Sequence, residues 1–177
     1  MRIVPTRVYL FLFALLAPVA TGGLPVFAAE TASEQSVRAA LIFNFIKFTE
    51  WPVAAASEPQ LRVCIATNDP VQIAAIEALN ERPVRGKPLV AARFRRHADC
   101  DVIYVDSRRH WNEISEQYPK GHALTIGGYA GFAANGGMIE ISLQEGSTRF
   151  DINLPEAKRA GLRIYPQLLR LARRILE

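Results

Sequence analysis

LRVCIATNDPVQIAAIEAL, residues 61–79, is the stretch on which the fold turns. Leu61 to Ala66 is a short apolar run suited to a buried strand. Asn68-Asp69-Pro70 reads as a turn and helix start, and an amphipathic stretch follows to Leu79. A strand answered at once by a helix is a βα unit. Downstream, Pro83 to Pro88 reads as a loop with Gly86 at a turn, and Leu89 to Phe94 and Val102 to Val105 read as strands. A helix is expected around Trp111 to Tyr118, a strand over His122 to Ile126, and a loop at Gly127-Gly128 with Gly131. We read those glycines as backbone freedom for a turn. Strands alternating with helices predict a largely parallel sheet covered on both faces.

The pattern then changes. MIEISL (138–143) and RFDINL (149–154) alternate strictly, with Ile139, Ile141 and Leu143 facing one way and Phe150, Ile152 and Leu154 doing the same. Gln144-Glu145-Gly146-Ser147 joins them as a hairpin. Pro155 opens a short helix ended near Gly161. Pro166 opens a last helix, with Leu168, Leu171, Ala172 and Ile175 inward and arginines outward.

Upstream, SVRAALIFNFIKFTEWP (36–52) is a helix, capped by Thr31 with Glu34 or by Ser33 and ended by Pro52. Val37, Leu41, Phe45 and Phe48 form one stripe. Ile42, Phe43 and Ile46 widen it beyond what one core face requires, so the helix is buried on two sides or meets a partner. The expected fold is therefore α/β: one three-layer domain over residues 29–177, with a mixed, mostly parallel sheet, helices on both faces and a C-terminal β-hairpin.

Residues 1–28 read as a cleavable signal peptide. Arg2 and Arg7 supply the charge, and Val8 to Ala20 gives 13 largely apolar residues, short of the roughly 20 a spanning helix needs. Val26-Phe27-Ala28 carries small residues at the cleavage positions. No transmembrane anchor is expected in the mature chain. Removing 28 of 177 residues leaves enough chain for one self-sufficient core. The leader's two arginines account for half the net charge of +4, so the charge balance gives no case for nucleic acid. In an exported chain the two cysteines, Cys64 and Cys100, read as a disulfide, with two buried thiols as the alternative.

No residue set reads as an active site. His97, His110 and His122 lack the spacing of a metal pair on one helix face, so no metal or cofactor is expected. Nucleophile elbows and phosphate-cradling loops are missing from the sequence. Asp69 and Asp106 follow strands, as in phosphorylated receiver domains, but only Asp69 is acidic after the first strand. Asp106 before Ser107 is better explained as a turn or cap. Asp99 and Asp101 flank Cys100 and read as capping the strand entrance, too few for calcium.

Five strings in order then carry a resemblance: VRAALIFNFIKFTEWP (37–52), LRVCIATNDP (61–70), RPVRGKPLVAAR (82–93), DCDVIYVDS (99–107) and GFAANGGMIEISLQEGSTRFDINLPEAKRAGLRIYPQLLRLARRI (131–175). Together they resemble the YfiR family of exported bacterial proteins over about residues 36 to 176. The resemblance implies a three-layer α/β fold and a periplasmic repressor. Such a repressor binds the periplasmic sensor domain of an inner-membrane diguanylate cyclase and holds down cyclic di-GMP synthesis, without chemistry of its own. It also implies dimerisation, redox control, and a bridge between Cys64 and Cys100; the second cysteine pair of some relatives is missing here. For the partner surface we expect Phe43, Ile46, Lys47 and Trp51 on the over-wide helix and Arg170 and Arg174 on the basic last helix. A different reading, a small-ligand sensor, places a pocket at the strand ends around Asp69, Asp106 and Gly127.

Overall fold

A computed structural model of the chain describes residues 26–52, 58–96, 98–116, 121–144 and 147–177, with side chains from residue 34 onward. The expected leader lies outside these residues except for its last three, which open the first helix.

Helix α1 spans Val26–Lys47, and the short strand β1, Thr49–Glu50, follows it. The helix thus begins upstream of the caps expected at Thr31 to Glu34. Ala28, Ala29 and Glu30 are good helix formers, and in the uncut chain nothing there stops the helix. The βα unit is as read: β2 is Leu61–Ala66 and α2 is Pro70–Glu77, capped by Asp69. Strands β3 (Pro83–Val84), β4 (Lys87–Arg93) and β5 (Val102–Val105) come next. Helix α3, Arg108–Ser115, is capped by Ser107 and starts earlier than expected because that cap precedes Trp111. Strand β6 is Leu124–Gly127, and a 3-10 turn covers Ala133–Asn135.

The hairpin is β7, Ile139–Gln144, with β8, Ser147–Asn153, in antiparallel register from Ile139 opposite Ile152 to Gln144 opposite Ser147. Its turn, Glu145-Gly146, lies outside the described residues. Leu154, expected at the end of that strand, instead opens α4, Leu154–Arg159. Strand β9, Arg163–Ile164, precedes the four-residue helix α5, Pro166–Leu169. The long basic last helix is not formed. Arg174–Leu176 is strand β10, parallel to β8, with Ile175 beside Ile152.

Eight strands form one mixed sheet in the order β10-β8-β7-β6-β5-β2-β4-β3, and β1 pairs with β9 in a two-stranded ribbon. All pairings in the large sheet are parallel except β7 with β8 and β3 with β4. Strand alternation sorts the side chains into two cores. Val63, Ile65, Val102, Tyr104, Leu124 and Ile126 pack with Ile42, Phe45 and Ile46 of α1 and Ile73 and Ile76 of α2. Cys64, Ala66, Ile103 and Val105 face the other way, toward Ile114 of α3 and Phe132. Helices therefore cover both faces.

Cys64 and Cys100 are bridged, joining β2 to the loop before β5 inside the second core. The alternative of two buried thiols is thereby settled: among the described residues no cysteine is free.

Candidate functional site

From β2 the chain crosses through α2 to β4 on one side, then returns to place β5 on the other side of β2. The C-terminal ends of β2 and β5 therefore mark the point where the strand order reverses, the usual crevice for ligands in open α/β sheets. Thr67, Asn68 and Asp69 leave β2 there, and Asp106 and Ser107 leave β5.

Asp69 caps α2. Its Oδ1 accepts from the backbone N–H of Val71 at 2.9 Å and of Gln72 at 3.3 Å, and its Oδ2 accepts from Gln35 Nε2 at 2.6 Å. Arg38 Nη1 donates to Gln35 Oε1 at 2.6 Å and to Gln72 Oε1 at 2.9 Å. A polar seam thus ties α1 to α2, with Arg38 Nε and Gln72 Nε2 buried and unpartnered. Beside it the buried Tyr104 hydroxyl has its pKa pushed up, first by burial and then by the Asp106 and Asp69 carboxylates, against the pull of Arg38.

Asp106 orients His110. Oδ1 accepts from His110 Nδ1 at 2.6 Å, and Thr67 donates its hydroxyl to Oδ2. Burial works to raise the Asp106 carboxyl, but the bonds from Thr67, His110 and Ser107 outweigh it and leave its pKa lowered. Ser107 Oγ sits 3.1 Å from the same Nδ1. In a serine–histidine–aspartate relay the serine and the carboxylate meet opposite ring nitrogens. Here both meet Nδ1, whose proton goes to Asp106, so this trio orients the first turn of α3 and makes no relay. The other ring nitrogen, Nε2, lies 3.5 Å from Asn68 Nδ2, and both residues line a cleft of about 480 Å³ together with Thr67, Arg93, Phe94 and Glu113.

Of the other polar residues singled out in the sequence, Asp101 and His122 bond to backbone groups. Asp101 Oδ2 accepts from the backbone of Arg62 at 2.7 Å, closing the strand entrance. His122 Nδ1 meets the Ala160 carbonyl at 2.8 Å, and His97 lies outside the described residues. No cluster of three or more metal-ligating side chains occurs among the described residues. Gly127 and Gly128 answer a need other than turn freedom. A Cβ on Gly127 would meet Phe132 Cγ at 2.1 Å, and one on Gly128 would meet the Tyr104 hydroxyl at 2.7 Å. Neither Asp69, spent on its cap, nor Gly127, pressed on a ring, is open in the way the ligand-sensor reading expected.

The six residues expected at a partner surface are not all exposed. Ile46 is wholly buried and Trp51 nearly so, its Nε1 donating to the Asp101 carbonyl at 3.2 Å. Both belong to the core, because α1 is buried on two sides by the sheet and α2 and its end is fastened by the β1–β9 ribbon. Phe43 is half-buried beneath the Arg82 guanidinium, 4.1 Å from the ring centroid. Lys47 and Arg170 are exposed, and next to Arg170 stands Leu171, the most exposed large apolar side chain described, at 71%. Arg174 is drawn to Asp151, Nη2 to Oδ2 at 2.9 Å. Sequence reasoning passed over Gln35, Arg38 and Gln72. Their signal was polar residues three apart, Gln35 and Arg38, within the apolar breadth of α1.

These features define a class: a disulfide-stapled α/β domain whose switch-point residues are largely bonded to one another. The chain belongs to the YfiR/HmsC-like family, whose sequence profile matches residues 35–173. A crystal structure titled conserved domain protein, from Vibrio cholerae O1 biovar El Tor strain N16961, is similar with a TM-score of 0.50 at 12% identity. The match covers 80% of this chain and 60% of that one, so this chain spans less than two thirds of its length, and the likeness is one of fold alone. No helix among the described residues is long and apolar enough to cross a membrane.

Proposed function

We propose that this chain, exported by the leader at residues 1–28, binds the periplasmic sensor domain of an inner-membrane diguanylate cyclase and represses cyclic di-GMP synthesis without catalysing a reaction. Family membership across residues 35–173 carries the reading. The Cys64–Cys100 bridge supports it, since such bonds persist in an oxidising compartment. A repressor of this kind acts by binding the cyclase's inactive state more tightly than its active state, so a surface suffices. With Ile46 and Trp51 in the core, the surface we assign comprises Phe43 and Lys47 on α1 and Arg170 with its neighbour Leu171.

The test is cellular cyclic di-GMP in a strain lacking the gene, alone and complemented. A rise on deletion, reversed by the parent but not by Lys47→Glu or Arg170→Glu at unchanged protein level, supports the reading; no change where the gene is expressed overturns it. Dimerisation, implied by the resemblance, is read separately by light scattering. A second reading, a small-ligand sensor, is favoured by the cleft beside His110. It predicts a thermal shift with a screened compound that His110→Ala removes.

A further inference from the structure

At the opposite end of the strands, the described residues leave the second face of the sheet incompletely covered. Between α3, the 3-10 turn and α4 lies a cavity of about 370 Å³, within the size range of small-molecule sites. Ile103, Ala123 and Met138 make an apolar floor, each buried in its strand or beside it. Trp111 walls one side, its Nε1 donating to the Asn135 carbonyl at 3.1 Å and its ring edge-on to Phe132. The hollow is thus framed by a hydrogen bond and ring packing, not by loose side chains.

Two polar groups in it have capacity to spare. Thr125, 8% exposed on the floor, accepts the Met138 N–H at 3.0 Å, and no acceptor for its own hydroxyl proton occurs among the described residues. At the mouth, Arg159 Nη2 touches Glu156 Oε1 at 2.7 Å, with Arg159 60% exposed and Glu156 only 18%. That contact uses one of the five N–H donors of the guanidinium. A cationic head would have to displace Arg159 from Glu156, whereas an anionic head adds to the exposed side of the guanidinium.

We propose that this cavity is a binding site for a small monoanionic amphipath. Its compact apolar body lies on Ile103, Ala123 and Met138, an oxygen takes the Thr125 proton, and its anionic head meets Arg159. The site shares no residue with the surface assigned to the cyclase and only Ile114 with the cleft at His110, and it holds whether or not either reading does.

The experiment uses protein purified from the periplasm of an expressing host, titrated with 8-anilinonaphthalene-1-sulfonate and followed by dye emission and by Trp111 quenching. One saturable site per chain is expected. Octanoate should displace the dye at least tenfold better than octanol, a preference that Arg159→Gln should abolish. Ser115→Phe, on the exposed rim of α3, should weaken dye binding at least tenfold with melting unchanged; Asn112→Tyr, from the same rim, serves if that variant is poorly produced. Absence of a saturable site, dye binding indifferent to both rim variants, or equal displacement by octanol and octanoate would each overturn the proposal.

Discussion

Arg173 closes on Asp151 with two bonds, Nε to Oδ1 at 2.8 Å and Nη2 to Oδ2 at 2.7 Å, around a carboxylate with no exposed side-chain surface. This pair latches β10 to the hairpin. It also holds the Asp151 carboxyl below its ordinary range, chiefly through the Arg173 hydrogen bonds, which prevail over burial with help from the charges of Arg173 and Arg174. A lowered folded-state pKa means stabilisation that is complete above the unfolded value of about 4 and is lost as pH falls through the folded value. Asp151→Asn should therefore cost about 3 kcal/mol at neutral pH and flatten the acid limb of the stability curve. Denaturant melts from about pH 6 down to about pH 2 check this; a variant as acid-sensitive as the parent would contradict it.

The bridge between Cys64 and Cys100 spans 36 positions of sequence. Closing such a loop stabilises by about 4 kcal/mol through the unfolded chain. Cys64→Ser should lower the melting temperature by roughly 10 °C, and reductant should bring the parent down to the same level. Scanning calorimetry with and without dithiothreitol is the measurement, and identical melts would refute the staple.

Phe132 is wholly buried, and a Cβ on Gly127 or on Gly137 would come within 2.1 Å of its ring atoms. Held from two sides, the ring has nowhere to withdraw. Gly127→Ala should destabilise by about 1–3 kcal/mol, the cost of overpacking a filled core. Chemical denaturation reads the loss; a variant within experimental error of the parent would show that the ring yields.

Asp69 caps α2 and also holds Gln35 of α1. Asp69→Ala should cost about 1 kcal/mol or somewhat more, while Asp69→Asn, which still accepts at the cap, should retain most of the stability. Equal losses in the two variants would mean that the charge, not the cap, matters. Urea titrations of both decide between them.

Several features were legible because they are local. Alternation in MIEISL and RFDINL marks a hairpin wherever it lies, and the register observed keeps Ile139, Ile141, Phe150 and Ile152 on the core side. Asp69 before Pro70 announces a helix start by capping chemistry alone. The end of the chain was misread for the opposite reason. PQLLRLARRIL carries helical periodicity, yet the helix stops at Leu169, and the Arg173 N–H donates to the Phe150 carbonyl at 2.8 Å. An edge strand with open backbone groups and a buried carboxylate on β8 outbid a local preference of small size.

The partner surface was illegible in the same sense. An apolar breadth on α1 is compatible with burial on two sides or with a partner, and periodicity does not choose between them. The fold chose for Ile46 and Trp51, which lie in the core, and left Phe43 half-covered and Lys47 outside.

By itself, the sequence determined the class of fold, the hairpin, the helix start at Asp69-Pro70 and the presence of two cysteines able to bridge, because periodicity, turn chemistry and composition act over a few residues. Tertiary structure alone decided that Arg173 meets Asp151, that Phe132 needs two glycines, and that a hollow opens beneath α3 and α4. Each depends on strands far apart in sequence being set side by side by the burial of both faces of one sheet.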